Sequence, residues 1–227
     1  MRISCIVLLL SSVAFSGLSQ QSEVRQIGVF QGVRVSEAID VYLKKGDKES
    51  VKVEATGTEL SNVLTEVNGT TLKIHMHDGN FRNRKSVKVY VTYVRVEKLS
   101  ASSAANIFST EPIKSGKMEI SVSSAGSVEV IIESESVIVN ASSAGKTVLE
   151  GKTNSLEIEA SSAGDIDAYK LESENVNASV SSAGSAKISV SKELEAHAGS
   201  GGSIRYRGNP LKTNTDSSSG GSVKKTN

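Results

Sequence analysis

The sequence predicts an all-β fold: a right-handed parallel β-helix, or solenoid, with coils of about 19 residues and Ser-Ser-Ala-Gly corners. Three observations predict it. A short corner motif recurs through the second half, and apolar and polar residues alternate between its copies at the two-residue period of a strand. The third is composition: 39 serines and 19 glycines stand beside 2 prolines, 5 tyrosines, 4 phenylalanines and no tryptophan. With 37% hydrophobic residues the chain lacks the profile of a disordered protein, and its core must be filled by Val, Ile, Leu and Ala.

In chain order, residues 1–19 read as a secretory signal peptide. Arg2 supplies the positive start, Ile6 to Phe15 the apolar stretch, and Gly17 and Ser19 the small residues before a cleavage at Gln20. The apolar stretch is too short to span a bilayer, and no later segment approaches the roughly 20 apolar residues required. The single cysteine, Cys5, leaves with the signal, so no disulfide is expected. Without Arg2 the chain carries 25 basic and 25 acidic residues, a balance that argues against nucleic acid as a partner.

Residues 20–227 are then expected to form a single β-helix domain, with 20–96 as irregular capping coils and 97–223 as regular ones. In the first part, strands are expected over Val33 to Val35, Ile39 to Leu43, Ser50 to Ala55, Leu72 to His77 and Ser86 to Val94. Lys45-Gly46-Asp47, Asn68-Gly69 and Asp78-Gly79-Asn80 mark turns, and Glu59 to Leu64 a short helical turn. Capping is needed because both ends of a solenoid expose strand edges.

The regular part is set by its markers. The second serine of each corner falls at 103, 124, 143, 162, 182, 200 and 219, at intervals of 21, 19, 19, 20, 18 and 19 residues. Apolar positions lead into each corner, as at Val137, Val139 and Ala141 or Leu156, Ile158 and Ala160, and lead out again, as at Ile166 and Ala168. Each repeat therefore reads as two short strands. Such a unit cannot bury its apolar face alone, and stacking at about 4.8 Å per coil gives six coils about 30 Å long. Right-handed winding follows from the chirality of parallel crossovers. The corner serines should form ladders bonding the backbone or one another, with glycine supplying conformational freedom. Ala144 should pack against neighbouring corners, so that a bulky replacement overpacks it.

Several stretches together resemble a known family. Phe30-Gln31-Gly32-Val33-Arg34-Val35, Ile39 to Leu43 and Lys45-Gly46-Asp47 are similar to the opening of the putative auto-transporter adhesin head GIN domain, a domain of unknown function in exported Bacteroidetes proteins. Val51 to Ala55, Leu72-Lys73-Ile74 and Val87 to Thr92 follow in the family's order, and the resemblance covers about residues 27–210. It implies a right-handed β-helix and brings no catalytic residues with it.

Individual candidates are weak against their plainer explanations. His75 and His77 share one strand face beside Asp78, yet a metal site needs a third or fourth ligand from elsewhere, and two exposed histidines on a strand before a turn explain them as well. Arg82, Arg84 and Lys85 form a short basic loop suited to an acidic sugar or phosphate, or simply to solvent. Asp165 and Asp167 share a face, but the equivalent residues are Ser127 and Glu129, Lys146 and Val148, and Ser185 and Lys187, so no second acidic pair stacks beside them. Asn68, Asn140 and Asn177 begin glycosylation sequons. The repeated serines have no nucleophile elbow. No catalytic, cofactor-binding or metal residue is therefore assigned.

The resulting expectation is a non-enzymatic exported module, adhesin-like or envelope-associated, placed in the periplasm, at the cell surface or outside the cell. Its partner would be a glycan or another envelope protein. Alternatives are a polysaccharide-active enzyme of the pectate-lyase-like β-helix type and a lipid-binding envelope protein, which would need a large apolar cavity. Oligomeric state is left open, and Lys224 and Lys225 after the final corner discourage edge-to-edge pairing.

Overall fold

The structure, a computed structural model, describes residues 20–77 and 86–226, so the proposed signal peptide lies outside it. Its strands are β1 (Gln21–Arg25), β2 (Gly32–Val35), β3 (Asp40–Lys45), β4 (Ser50–Thr56), β5 (Val63–Asn68), β6 (Thr71–Met76), β7 (Ser86–Tyr93), β8 (Lys98–Ala101) and β9 (Asn106–Ser109). Then come β10 (Ile113–Val122), β11 (Ser127–Ala141), β12 (Lys146–Ala160), β13 (Asp165–Val180), β14 (Ser185–Ala198), β15 (Ser203–Arg207), β16 (Lys212–Ser217) and β17 (Ser222–Lys225). Among the described residues one 3-10 turn, Leu60–Asn62, falls where the helical turn is expected.

The fold is a β-solenoid of about seven turns with coils of about 19 residues. Parallel pairing carries each strand onto its counterpart one coil away, as in Ser127 opposite Lys146 and Ala141 opposite Ala160. The expected pair of short strands per repeat is one continuous strand of 14 to 16 residues in β11 to β14, because the bend midway between corners does not end the ladder. A seventh turn, beyond the six that the markers count, comes from the first half. There β2, the corner Ser36-Glu37-Ala38 and β3 stack directly on β8 and β9, with Val33 opposite Leu99 and Asp40 opposite Asn106. Glu37 replaces the marker serine, and its carboxylate accepts the Met76 main-chain N–H at 2.6 Å.

The cap is more interlaced than a run of irregular coils. β6 and β7 lie parallel over β2 and β3, so the chain enters the stack one level in, climbs above it and returns below. Antiparallel strands close the end: β5 on β6, β4 on β7 and β1 on β4. At the other end, inward positions turn polar. Thr213, Thr215 and Ser217 stand opposite Leu194, Ala196 and Ala198, which suits a terminal coil whose far side meets water.

Inward positions form aliphatic columns such as Val137, Leu156, Val176 and Leu194, all buried. One member breaks the pattern. Thr147 lies between Val128 and Ile166 with 0% exposure, and its hydroxyl has no hydrogen-bond partner. A buried polar group without a partner is costly, so Thr147→Val, nearly identical in shape, is expected to stabilise by about 1 kcal/mol. A thermal midpoint raised by about 2–4 °C in circular dichroism would show it; an unchanged or lower midpoint would mean the hydroxyl is satisfied.

The corner differs from expectation in three ways. Its second serine and its alanine both adopt the left-handed conformation, as at Ser143 (φ 48°) and Ala144 (φ 60°), and Gly145 N–H donates to Ser142 C=O at 2.8 Å. These are the features of a type I′ turn, reached here without glycine at either central position. The glycine that follows has no left-handed backbone; it is there because the coils approach closely. A Cβ on Gly145 would stand 2.7 Å from the Val122 carbonyl oxygen. The ladder itself is main chain, with Ala144 N–H donating to Ser162 C=O and Ala163 N–H to Ser182 C=O, each at 3.1 Å. Ala144 points outward and is exposed, so overpacking does not limit it; its left-handed backbone does.

Candidate functional site

The hydroxyl ladder expected at the corner is found at the other bend. Ser115, Ser134, Thr153, Ser173 and Ser191 recur at intervals of 19, 19, 20 and 18 residues, and the middle three are buried. Ser115 and Ser134 hydroxyls meet at 3.2 Å; Ser134 and Thr153 donate to the carbonyls of Ser136 and Ser155 at 3.0 Å. Ser173 donates to Leu171 C=O and Ser191 to Ser173 C=O, both at 3.2 Å. Short side chains that bond nearby carbonyls let the backbone bend here without losing its inter-coil ladder.

Charged residues flank this ladder on each strand. On one side Lys114, Glu133, Lys152 and Glu172 succeed one another from coil to coil, and Lys114 pairs with Glu133 at 3.1 Å. The Lys114 ammonium holds the Glu133 carboxyl below the usual carboxylate range, and Lys152 adds to it. On the other side stand Glu135, Asn154, Glu174 and Lys192, with Lys192 on Glu174 at 2.8 Å. Glu133, Lys152 and Glu172 on one side and Glu135, Asn154 and Glu174 on the other line an open groove of about 810 Å³ that crosses six stacked segments, from Ser115 to Asn209. Four glutamates and one lysine line it, with Lys114 and Lys192 paired to Glu133 and Glu174 at its edges, so the groove keeps a small negative charge and is rich in acceptors for hydroxyl hydrogen bonds. A general acid needs a raised pKa, and Glu133 is shifted the other way.

The residues singled out from the sequence lie elsewhere. His75 is half-buried on β6 with Nδ1 3.2 Å from the Met76 carbonyl, His77 is exposed beyond the strand end, and Asp78, Arg82, Arg84 and Lys85 fall outside the described residues. Among the described residues no group of three or more His, Cys, Asp or Glu side chains is placed to hold a metal ion. Asp165 accepts a short hydrogen bond from Ser185, and Asp167 pairs with Lys187 at 3.0 Å, so both carboxylates tie neighbouring coils together. Asn68, Asn140 and Asn177 are exposed. The groove was missed because its signal is spread over serine, threonine and alternating charges; the 19-residue recurrence from Ser115 to Thr153 was the clue available.

One further cluster lies near the cap. Tyr90, Tyr42 and Phe108 stack through successive strands with ring centroids 5.3 Å apart, and Lys52 sits over Tyr90 at 5.7 Å. The ring faces are used on one another, so this ladder stiffens the outer sheet and presents edges to solvent.

The family model described as "Putative auto-transporter adhesin, head GIN domain" matches residues 29–210. Among solved structures, a putative adhesin from Bacteroides fragilis NCTC 9343 superposes with a TM-score of 0.86 at 18% identity, covering 92% of this chain and 98% of that one. A putative adhesin from Parabacteroides distasonis ATCC 8503 gives a TM-score of 0.76 at 19% identity, with 92% and 97% covered. A putative lipid binding protein from the same organism gives 0.69 at 18% identity, with 92% and 97% covered. At these identities the likeness is one of fold. No curated protein matches the sequence.

Proposed function

Because the chain belongs to the putative auto-transporter adhesin, head GIN domain family, we propose that it is a non-enzymatic exported binding module whose groove holds a stretch of neutral glycan. One observation carries the reading: an elongated polar groove of about 810 Å³ presents a serine or threonine hydroxyl flanked by charged side chains in coil after coil. Carboxylates accept pairs of sugar hydroxyls well, and a groove about 4.8 Å per coil over six segments suits an extended chain. A lipid-binding role has less support, since the coil interior is occupied by buried Val, Ile, Leu and Ala columns and the groove is lined by polar side chains.

The test uses the chain from residue 20 onward on a glycan array, followed by calorimetry. Binding of a neutral polysaccharide is expected, weakened about tenfold by Glu135→Ala with Glu174→Ala, since each lost charged hydrogen bond removes about 1 kcal/mol or more. The thermal midpoint should hold, because both side chains face the groove opening. Binding indifferent to these substitutions would remove the groove from the reading, and release of reducing or unsaturated sugars would replace it with an enzymatic one.

A further inference from the structure

We propose that a second site, on the outer sheet face near the C-terminal coils, binds a linear polyanionic glycan bearing carboxylate or sulfate groups. It goes beyond the groove reading: its cation column runs along the sheet that adjoins the end of the groove and has the opposite charge. Several outward charges are matched from coil to coil: Lys98 with Glu119 at 3.2 Å, Lys170 with Glu150 at 2.6 Å, Lys212 with Glu193 at 3.7 Å. One column near the C-terminal coils gathers cations instead. Asp167, Lys187, Arg205 and Lys224 are successive partners across paired strands, three cations after one acid.

Lys187 is occupied by Asp167. Arg205 and Lys224 are exposed, and among the described residues neither side chain makes an ion pair or a hydrogen bond. Like charges facing each other across a ladder destabilise the sheet, and a bound anion would offset that repulsion. The concentration is local. Residues 187–226 hold seven cations (Lys187, Lys192, Arg205, Arg207, Lys212, Lys224, Lys225) against Glu193, Glu195 and Asp216, whereas the rest of the chain from residue 20 carries 18 basic and 22 acidic residues.

The neighbouring row is built to hold its cation in place. Tyr169 is the added residue of the 20-residue repeat, and the register of β13 against β14 shifts just after it. Its ring lies under the Arg207 guanidinium at 5.2 Å, its carbonyl accepts a short hydrogen bond from Arg207, and its hydroxyl meets Thr226 at 2.9 Å. Arg207, Asn209, Lys225 and Thr226 then line a recess of about 460 Å³ beside the row.

Two features favour a polymer over other anions. The cations stand in single file at the interstrand spacing of about 4.8 Å, comparable to the length of one sugar ring, so successive acidic sugars meet successive coils. A membrane surface would instead select a plane of cations ringed by apolar side chains. Edge protection explains Lys224 and Lys225 on the last strand, but not Arg205 one coil further in.

The experiment measures binding of polygalacturonate, a sulfated polysaccharide, neutral dextran and phosphatidylglycerol vesicles to the chain from residue 20, at low and physiological salt. Binding of the two polyanions and not dextran is expected, falling about tenfold as salt is raised because counterions are released on binding. Arg205→Gln with Lys224→Gln should lower affinity at least about tenfold, raise the low-salt thermal midpoint by relieving repulsion, and leave groove binding intact. Affinity unmoved by this pair, binding to the vesicles alone, or no polyanion binding at low salt would each overturn the proposal.

Discussion

Gly151→Ala is expected to be, with Gly208→Ala, among the most damaging single-methyl changes at the described glycines, lowering the thermal midpoint by about 6–12 °C. Gly151 has φ +112°, a region closed to L side chains, and an added Cβ would lie 2.1 Å from the Ile132 carbonyl oxygen of the neighbouring coil. Strain of about 1–3 kcal/mol for the backbone adds to about 1–3 kcal/mol for overpacking, and the obstructing atom is main chain fixed in a ladder. Gly116→Ala is the control: no atom lies within 4 Å of its Cβ, and its φ is not in the left-handed region. Because solenoid coils contact only their neighbours, the damage should also broaden the transition as the stack splits at this coil. Lys152 and Thr153 follow directly and line the groove, so glycan affinity should fall with it. Equal midpoints for the Gly151 and Gly116 variants would sink the argument.

That glycine shows where sequence reasoning stopped. Marker spacing and strand alternation led to the right architecture because a stacked solenoid writes its geometry once per coil, and Ser-Ser-Ala-Gly is a contiguous string. The turn at Ser36-Glu37-Ala38 has the same left-handed pair, Glu37 at φ 70° and Ala38 at φ 52°, and the same bond to the next coil, Ala38 N–H to Ser103 C=O at 2.9 Å. It escaped notice because Glu37 serves Met76 above it and Ile39 stands where later corners place glycine. β1 and β5 were missed for another reason. They pair antiparallel at the cap, where only one face is covered, so their sequences carry little alternation: all but one residue of β1 is exposed. The groove was hidden by chemistry, since serine and threonine exchange freely where a hydroxyl must reach a nearby carbonyl, and the charges beside them alternate in sign from coil to coil. No local string records the Arg205 and Lys224 pairing either, for it joins residues a whole coil apart.

At the corner, two adjacent substitutions should move stability in opposite directions. Gly164→Ala is expected to cost about 2–3 kcal/mol, since its Cβ would stand 2.3 Å from the Ala141 carbonyl oxygen and 2.6 Å from the carbon, both main chain. Ala163→Gly one position earlier is expected to stabilise by up to about 1 kcal/mol: Ala163 sits at φ 61°, and the left-handed penalty of about 1–2 kcal/mol exceeds the entropy that glycine adds to the unfolded chain. The protein already contains the second exchange, for Gly201 (φ 74°) and Gly220 (φ 78°) hold the alanine position in the last two corners. The two effects separate what composition alone merges. Conformational freedom is wanted where alanine stands, and empty space is wanted where glycine stands. Urea denaturation of both single variants and the double tests this. If Gly164→Ala were harmless, the coils would not be held at the close approach seen here; if Ala163→Gly destabilised, the alanine methyl would be contributing contacts that its exposure does not show.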